Sequence, residues 1–230
     1  MTFSIAARCP RTGRFAIAVS SSSPAVAARC AHVRPGVGAA ASQNITDPSL
    51  GHRLLDLLAA GRSASEALAE LRRTTALLEF RQLTVVDRTG GVAAWSGSRT
   101  LGVHAAAEGD GVVAAGNLLA DTAVPVAMVQ AFASAATGEL GDRMVRAMEA
   151  GRDAGGEAGP VHSAGLLMVD RVAWPVADLR IDWTHGDPIA ELATLWRLWR
   201  PQLDAYVTRA LDPASAPAYG VAGEHRVVPR

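Results

Sequence analysis

Met1-Thr2-Phe3-Ser4-Ile5-Ala6-Ala7-Arg8, and after a break at Pro10-Arg11-Thr12-Gly13 the run Phe15-Ala16-Ile17-Ala18-Val19-Ser20, form the stretch that decides the fold. Phe3 and Ile5 alternate with small or polar residues, and Phe15, Ile17 and Val19 recur with period two. That period is the signature of strands, and the Pro- and Gly-containing break between them predicts a hairpin turn. No basic n-region or long apolar h-region precedes the first strand, so it does not read as a signal peptide. Methionine followed by a small residue is a normal substrate for initiator-methionine removal. Removal would expose Thr2 as a free N-terminal threonine, which carries a hydroxyl nucleophile and its own amine as base. In the bland alternative Met1 is retained and Thr2 merely starts an edge strand.

Working outward, the serine run at 20–23 and Pro24 end the second strand. A third β-like stretch, residues 37–43, follows the Pro35-Gly36 turn. Gly38, Ala39, Ala40, Ala41 and Ser42 are all small, so something packs close to its backbone. Asp47-Pro48 then supplies a cap and a first-turn proline to a helix with Leu50, Leu54, Leu55, Leu57 and Leu58 as its apolar stripe. Ser63 and Glu66 form a capping box for a second helix with Ala67, Leu68 and Leu71 inward. Strands are expected over 82–87, 92–96 and 112–115. A third helix over 121–136 has Val126, Met128, Val129 and Phe132 as core candidates, and a fourth covers 140–150. After the Gly-rich loop 151–159 come two strands, 162–170 and 176–183. A last helix begins at Asp187-Pro188, carries Leu192, Leu195, Trp196, Leu198 and Trp199, and resumes past Pro201 towards Leu211.

Strands, two helices, strands, two helices, strands and a helix do not fit a parallel βαβ sheet. The order predicts an α+β fold: a four-layer αββα sandwich of two antiparallel sheets flanked by helices, with the small-residue third strand between the sheets. One domain over 1–211 and an extended Pro/Ala/Gly-rich tail over 212–230 are expected.

Acidic and basic residues balance at 22 each, which gives no electrostatic footprint for nucleic acid or a membrane surface. Every basic side chain apart from the six histidines is arginine. No lysine amine can therefore serve as base or Schiff-base former. Cys9 and Cys30 match neither a disulfide framework nor a zinc pattern and read as buried thiols. His32, His52 and His104 lack ligand spacing, so no metal and no cofactor is expected. No apolar run reaches the ~20 residues of a membrane span, and a cytoplasmic protein is expected. Gly36-Val37-Gly38 lacks the strand-to-helix context of a nucleotide loop.

Several segments together resemble a bacterial family described as Ntn-hydrolase-like, the domain of unknown function 1028. They are residues 1–8, Thr12-Gly13 with 16–19, Gly36-Val37-Gly38-Ala39, and Ser42-Gln43 followed by Asp47-Pro48 and Gly51. Further on come Ala60-Gly61-Arg62-Ser63-Ala64, Arg81-Gln82-Leu83 with Val85-Val86-Asp87, Gly116-Asn117-Leu118-Leu119 and Ser163-Ala164. The likeness runs to about Trp199. It implies the αββα fold of N-terminal-nucleophile hydrolases, a superfamily that mostly cleaves amide bonds. Where typical members carry Ser-Lys-Phe after the second strand, this chain has Ser21-Ser22-Ser23-Pro24, so Ser22 fills the lysine place. Thr2 would then depend on its own α-amine, with a reference pKa of about 8.

Thr2 is the expected nucleophile. Asn117, at a strand end after Gly116, is the expected oxyanion donor; its alternative is a turn asparagine. Gln43 and Asn44 end the third strand and are placed as substrate-binding groups, with helix capping as the other reading of Asn44. Ser22, Arg81, His162 and Ser163 complete the substrate-binding candidates, Arg81 as a bidentate partner for a carboxylate. Trp95, Trp174, Trp183, Trp196 and Trp199 are read as core and interface residues. The expected function is hydrolysis of an amide or lactam-like C–N bond in a small molecule. The alternatives are a non-catalytic binding or assembly protein with Met1 retained, or a non-covalent deaminase or ring-opening enzyme using Gln43, Asn117 and His162. The apolar last helix and its tryptophans suggest a homo-oligomer.

Overall fold

In the computed structural model, which describes residues 1–221, the opening hairpin forms as its alternation dictates. Strands β1 (Thr2–Arg8) and β2 (Phe15–Ser21) pair antiparallel, with Phe3 opposite Ser20 and Ile5 opposite Ala18. The helix α1 (Ala27–Cys30) and strand β3 (Ala31–Arg34) follow, and neither was expected. The small-residue strand is therefore the fourth, β4 (Gly38–Asn44). The close packing it was expected to need is present: a Cβ on Gly38 would sit 2.5 Å from both Leu58 Cδ1 and the Val86 carbonyl oxygen.

Helix α2 (Ser49–Ala59) buries Leu50, Leu54, Leu55 and Leu58, while Asp47 Oδ1 accepts from the Ser49 backbone N–H at 3.0 Å. Helix α3 (Ala64–Thr74) starts at the anticipated capping box, with both reciprocal bonds between Ser63 and Glu66 made. Strands β5 (Arg81–Asp87) and β6 (Val92–Ser96) pair next. An unexpected strand, β7 (Ala105–Gly109), precedes β8 (Val112–Asn117). Helices α4 (Ala123–Ser134) and α5 (Leu140–Asp153) lead into β9 (Ser163–Val169) and β10 (Pro175–Ile181), and α6 (Pro188–Trp199) and α7 (Leu203–Leu211) close the regular structure. Residues 212–221 carry no helix or strand, and the rest of the expected tail, 222–230, lies outside the described residues.

One sheet has six strands in the order β10-β9-β2-β1-β8-β7; the other has four, β3-β4-β5-β6. Every pairing is antiparallel. Three apolar clusters hold four layers together. Phe3 and Ile5 meet Met128, Phe132, Met144, Met148 and Trp196, so α4, α5 and α6 cover the six-stranded sheet. Leu54, Leu68, Leu71, Leu83 and Val85 join α2 and α3 to the outer face of the smaller sheet. Ala6, Ile17, Val19, Ala39, Ala41, Val86 and Val113 fill the space between the sheets. The αββα architecture follows directly.

Some side chains depart from expectation. Val126 is 44% exposed, because the core face of α4 is set by Val124, Met128 and Phe132. Leu198 is 63% exposed, whereas Trp196 is buried over Gly141 and donates its indole N–H to Asp142 at 2.8 Å. Trp199 stacks on Tyr206 with centroids 4.8 Å apart. Both tryptophans are thus used for packing within the chain. At one end of the sandwich Arg14 bonds Asp170 at 2.8 Å and lies 3.5 Å from Glu139 and 3.7 Å from Asp204, joining β2, β9, α5 and α7.

Candidate functional site

The period of two that builds the strands also decides which residues face the inter-sheet space. On β1 these are Thr2, Ser4 and Ala6; on β8 they are Val113, Ala115 and Asn117. On β4 they are Ala39, Ala41 and Gln43, and on β5 Gln82, Thr84 and Val86. At the Arg14 end these positions are apolar. At the Thr2 end they are polar, and all of them are buried.

The buried polar groups form one chain. Ser4 Oγ donates to Gln43 Oε1 at 2.7 Å. Gln43 Nε2 donates to Gln82 Oε1 at 2.8 Å and to the Ala115 carbonyl at 3.2 Å. Gln82 Nε2 donates to Ser96 Oγ and to the Gly116 carbonyl, both at 2.9 Å. Asn117 Nδ2 donates to Gln82 Oε1 at 3.1 Å. Because the Ala115 and Gly116 carbonyls can only accept, they fix the sense of both glutamine amides. Asn117 must then offer an N–H to Gln82, and its Oδ1 is left buried with no partner.

Thr2 lies opposite Asn117 in the β1–β8 register and is 5% exposed. Its hydroxyl donates to the Met1 carbonyl oxygen and lies 3.4 Å from Ser21 Oγ. Ser21 Oγ reaches the same carbonyl oxygen at 2.5 Å. The serine turn is braced from behind: Ser23 N donates to Ser21 Oγ at 3.1 Å, and Ser163 Oγ donates to the Ser23 carbonyl at 2.6 Å. Alongside sits Glu157, in the loop after α5 and bridged to Leu119. It is 5% exposed; its Oε2 accepts from Ser22 N at 3.2 Å and its Oε1 has no partner. Burial pushes its carboxyl up to about 7, against the pull of the N-terminal ammonium and the Ser22 N–H.

Thr2, Asn117 and Gln43 therefore come together at this end of the inter-sheet space. Ser22 contributes its backbone N–H to Glu157, and Ser163 supports the serine turn. His162 donates its backbone N–H to the Ser21 carbonyl at 2.9 Å and stacks on Trp183 with centroids 4.4 Å apart. Asn44 and Arg81 face each other across β4 and β5, but their bonds run to loops. Asn44, with φ +75°, donates to the Phe80 carbonyl at 2.5 Å and accepts from Leu101 N at 3.2 Å; Arg81 donates to the Ile45 carbonyl. Ser4, Ser21, Gln82 and Glu157 join the candidate site without being among the residues singled out from the sequence. For Gln82 a signal existed, since Gln43 and Gln82 are both polar at the same end of predicted strands. Glu157 had none beyond being an acid inside a Gly/Ala loop.

The sequence matches the model of a family described as a family of unknown function, DUF1028, over residues 2–192. The chain belongs to this family. A crystal structure of a DUF1028 protein from Silicibacter pomeroyi is similar, with a TM-score of 0.79 at 28% identity over 86% of this chain and 88% of that one. Two Anbu (ancestral beta-subunit) structures also align with this DUF1028 chain. The one from Yersinia bercovieri has a TM-score of 0.39 at 13% identity, over 89% and 97% of the two chains. A Gly-1 mutant from Hyphomicrobium sp. strain MC1 has a TM-score of 0.41 at 11% identity, over 90% and 99%. Scores this low carry no inference about the chain. No curated protein matches it. Among the described residues, no helix is long and apolar enough to cross a membrane, and no three His, Cys, Asp or Glu side chains gather as metal ligands.

Proposed function

We propose that the protein is an N-terminal-nucleophile amidohydrolase acting on a small amide or lactam-like bond, with Thr2 as nucleophile once Met1 is removed. The observation that carries this reading is the convergence of the Thr2 and Ser21 hydroxyls on one carbonyl oxygen, that of the residue joined to Thr2. That is the arrangement an acyl-transfer site needs: a nucleophile and a hydrogen-bond donor at the same acyl group.

In the proposed reaction, Thr2 Oγ1 attacks the substrate carbonyl carbon and its proton passes to the Thr2 α-amine. The carbonyl oxygen becomes an oxyanion that accepts from Ser21 Oγ, assisted by the second N–H of Asn117. The C–N bond breaks, the leaving nitrogen takes the proton from the ammonium, and an ester remains on Thr2. Water then attacks the ester, giving the acid and restoring the threonine. Gln43, Gln82 and Ser4 hold Asn117 in place rather than touching substrate. With no lysine in the chain, kcat/KM is expected to rise with pH as the α-amine deprotonates near its reference value of about 8.

The test starts with an intact mass. Protein lacking Met1 should be acylated by an amide-mimicking electrophile such as a β-lactone, and Thr2→Ala should abolish the adduct. Undiminished labelling or hydrolysis in Thr2→Ala would overturn the assignment. The competing reading, a non-catalytic protein with Met1 retained, draws on the Met1 carbonyl, which accepts hydrogen bonds from both Thr2 and Ser21 although the residue itself is exposed. A full-length mass that persists after treatment with methionine aminopeptidase would favour it. We extend the proposal to a homo-oligomer through the exposed face of α6 around Leu198, and a monomeric mass by light scattering at micromolar concentration would refute it.

A further inference from the structure

Three features around Met1 are not used by the reaction above. The methionine side chain lies against Gly159, where a Cβ would come within 3.4 Å of Met1 Cε and 3.8 Å of its Sδ. Its carbonyl oxygen is held by Ser21 and Thr2. Beside it is Glu157, nine-tenths and more buried, with one oxygen on Ser22 N and the other without a partner. Neither a described arginine nor the Met1 ammonium pairs with that carboxyl within 4 Å, and the ammonium bears on it from further away. A carboxylate removed from water with an unfilled oxygen is costly unless a donor or cation arrives.

Met1 therefore sits as an aminoacyl group in a place with a feature for each of its parts. Its acyl carbon is bonded to Thr2 N, and Thr2 Oγ1 is on the carbon next but one. An acyl group on either atom is related to the other through a five-membered ring, so an ester on Oγ1 occupies adjoining space. Once Met1 has gone, that space is open next to the nucleophile.

We infer that the space filled by Met1 is the acyl subsite, and that it takes an α-aminoacyl group whose free ammonium is held by Glu157. This rests on the Thr2 reading above and sharpens it: the substrate class becomes small amides of amino acids with an unblocked amine. In the hydrolysis the amino acid leaves as the acid and the amide nitrogen as the amine, with one water consumed.

The experiment separates binding from turnover. Protein beginning at residue 2 and carrying Thr2→Ala is titrated calorimetrically with L-methioninamide and with N-acetyl-L-methioninamide. At least tenfold tighter binding of the free amine is expected. The preference should vanish in the Thr2→Ala protein that also carries Glu157→Gln, with the melting temperature of that protein measured as a check on folding. Equal binding of both amides, or binding of neither, overturns the inference, and this comparison needs no change at Glu157. Protein with Thr2 intact is then given L-methionine p-nitroanilide. A tenfold preference for the free amine without any release of p-nitroaniline would sink the Thr2 mechanism and leave the aminoacyl subsite standing.

Discussion

The two ends of the inter-sheet space are built by the same four strands and could hardly differ more. At one end Ala6, Ala39, Ala41, Val86 and Val113 interdigitate as ordinary core. Two to four residues further along β1, β4, β5 and β8, the same faces carry Thr2, Ser4, Gln43, Gln82 and Asn117, buried just as deeply. The apolar end is held by undirected packing, which tolerates changes of shape. The polar end is held by donors and acceptors that must each be matched, so one substitution propagates through its neighbours. A site at the end of a packed sandwich thus needs no new backbone, only a change of side-chain chemistry within the strands.

The largest contrast is expected from Ser21→Ala. In protein lacking Met1 it should lower kcat by about 10²–10³ through loss of an oxyanion donor, with the unfolding midpoint little changed. Gln82→Leu should come next. It removes the Gln82 partner of Asn117 Nδ2, Ser96 Oγ and the Gly116 carbonyl and one of the two acceptors of Gln43 Nε2, and urea unfolding should show a loss of about 3 kcal/mol together with lost turnover. Val86→Ala, at the apolar end, should cost about 2 kcal/mol of stability and leave kcat unaltered. A fall in kcat there as large as that of Gln82→Leu would erase the distinction between the two ends.

The smallest effect concerns pH. Burial lowers His32 to about 4, with the nearby His52 adding to it, so the fold prefers the neutral ring; stability from this group is lost as pH falls from about 6.5 towards 4. Glu157 works in the opposite sense. Its carboxyl is raised to about 7, so the folded protein binds the extra proton, and stability falls as pH rises from about 4.5 through 7. Between pH 6 and 7 each slope is on the order of 1 kcal/mol per pH unit and they oppose each other. Unfolding free energy should be nearly flat there, falling on acidification in Glu157→Gln and rising on acidification in His32→Gln. Parallel slopes in the two variants would show that other groups dominate.

Much of this architecture was legible because it rests on short-range chemistry. The hairpin, the Ser63–Glu66 capping box and the leucine stripe of α2 each announce themselves within about twenty consecutive residues. Strand β7 does not. Ala105-Ala106-Ala107-Glu108-Gly109 has no β-branched or aromatic residue, and it becomes a strand because β8 offers a free edge. Strand β3 has only four residues, too few for a period to register. At the site, Thr2, Gln43 and Asn117 could be found one by one from chain position and strand ends. Gln82 and Glu157 acquire meaning only from pairing across strands or loops far apart in sequence, and a single chain does not display such pairing.

The Arg14 clamp has a mechanical consequence. One guanidinium gathers β2, β9, α5 and α7, which all belong to the six-stranded sheet and the helix layer over it, whereas at the Thr2 end the two facing sheets are joined by hydrogen bonds of Ser4, Gln43, Gln82 and Asn117. The larger sheet is thus fastened to its own helices at one end and to the smaller sheet at the other. Native-state exchange in Gln82→Leu should then open amides near Gln43 and Asn117 first, while those near Phe15 and Val169 keep their protection.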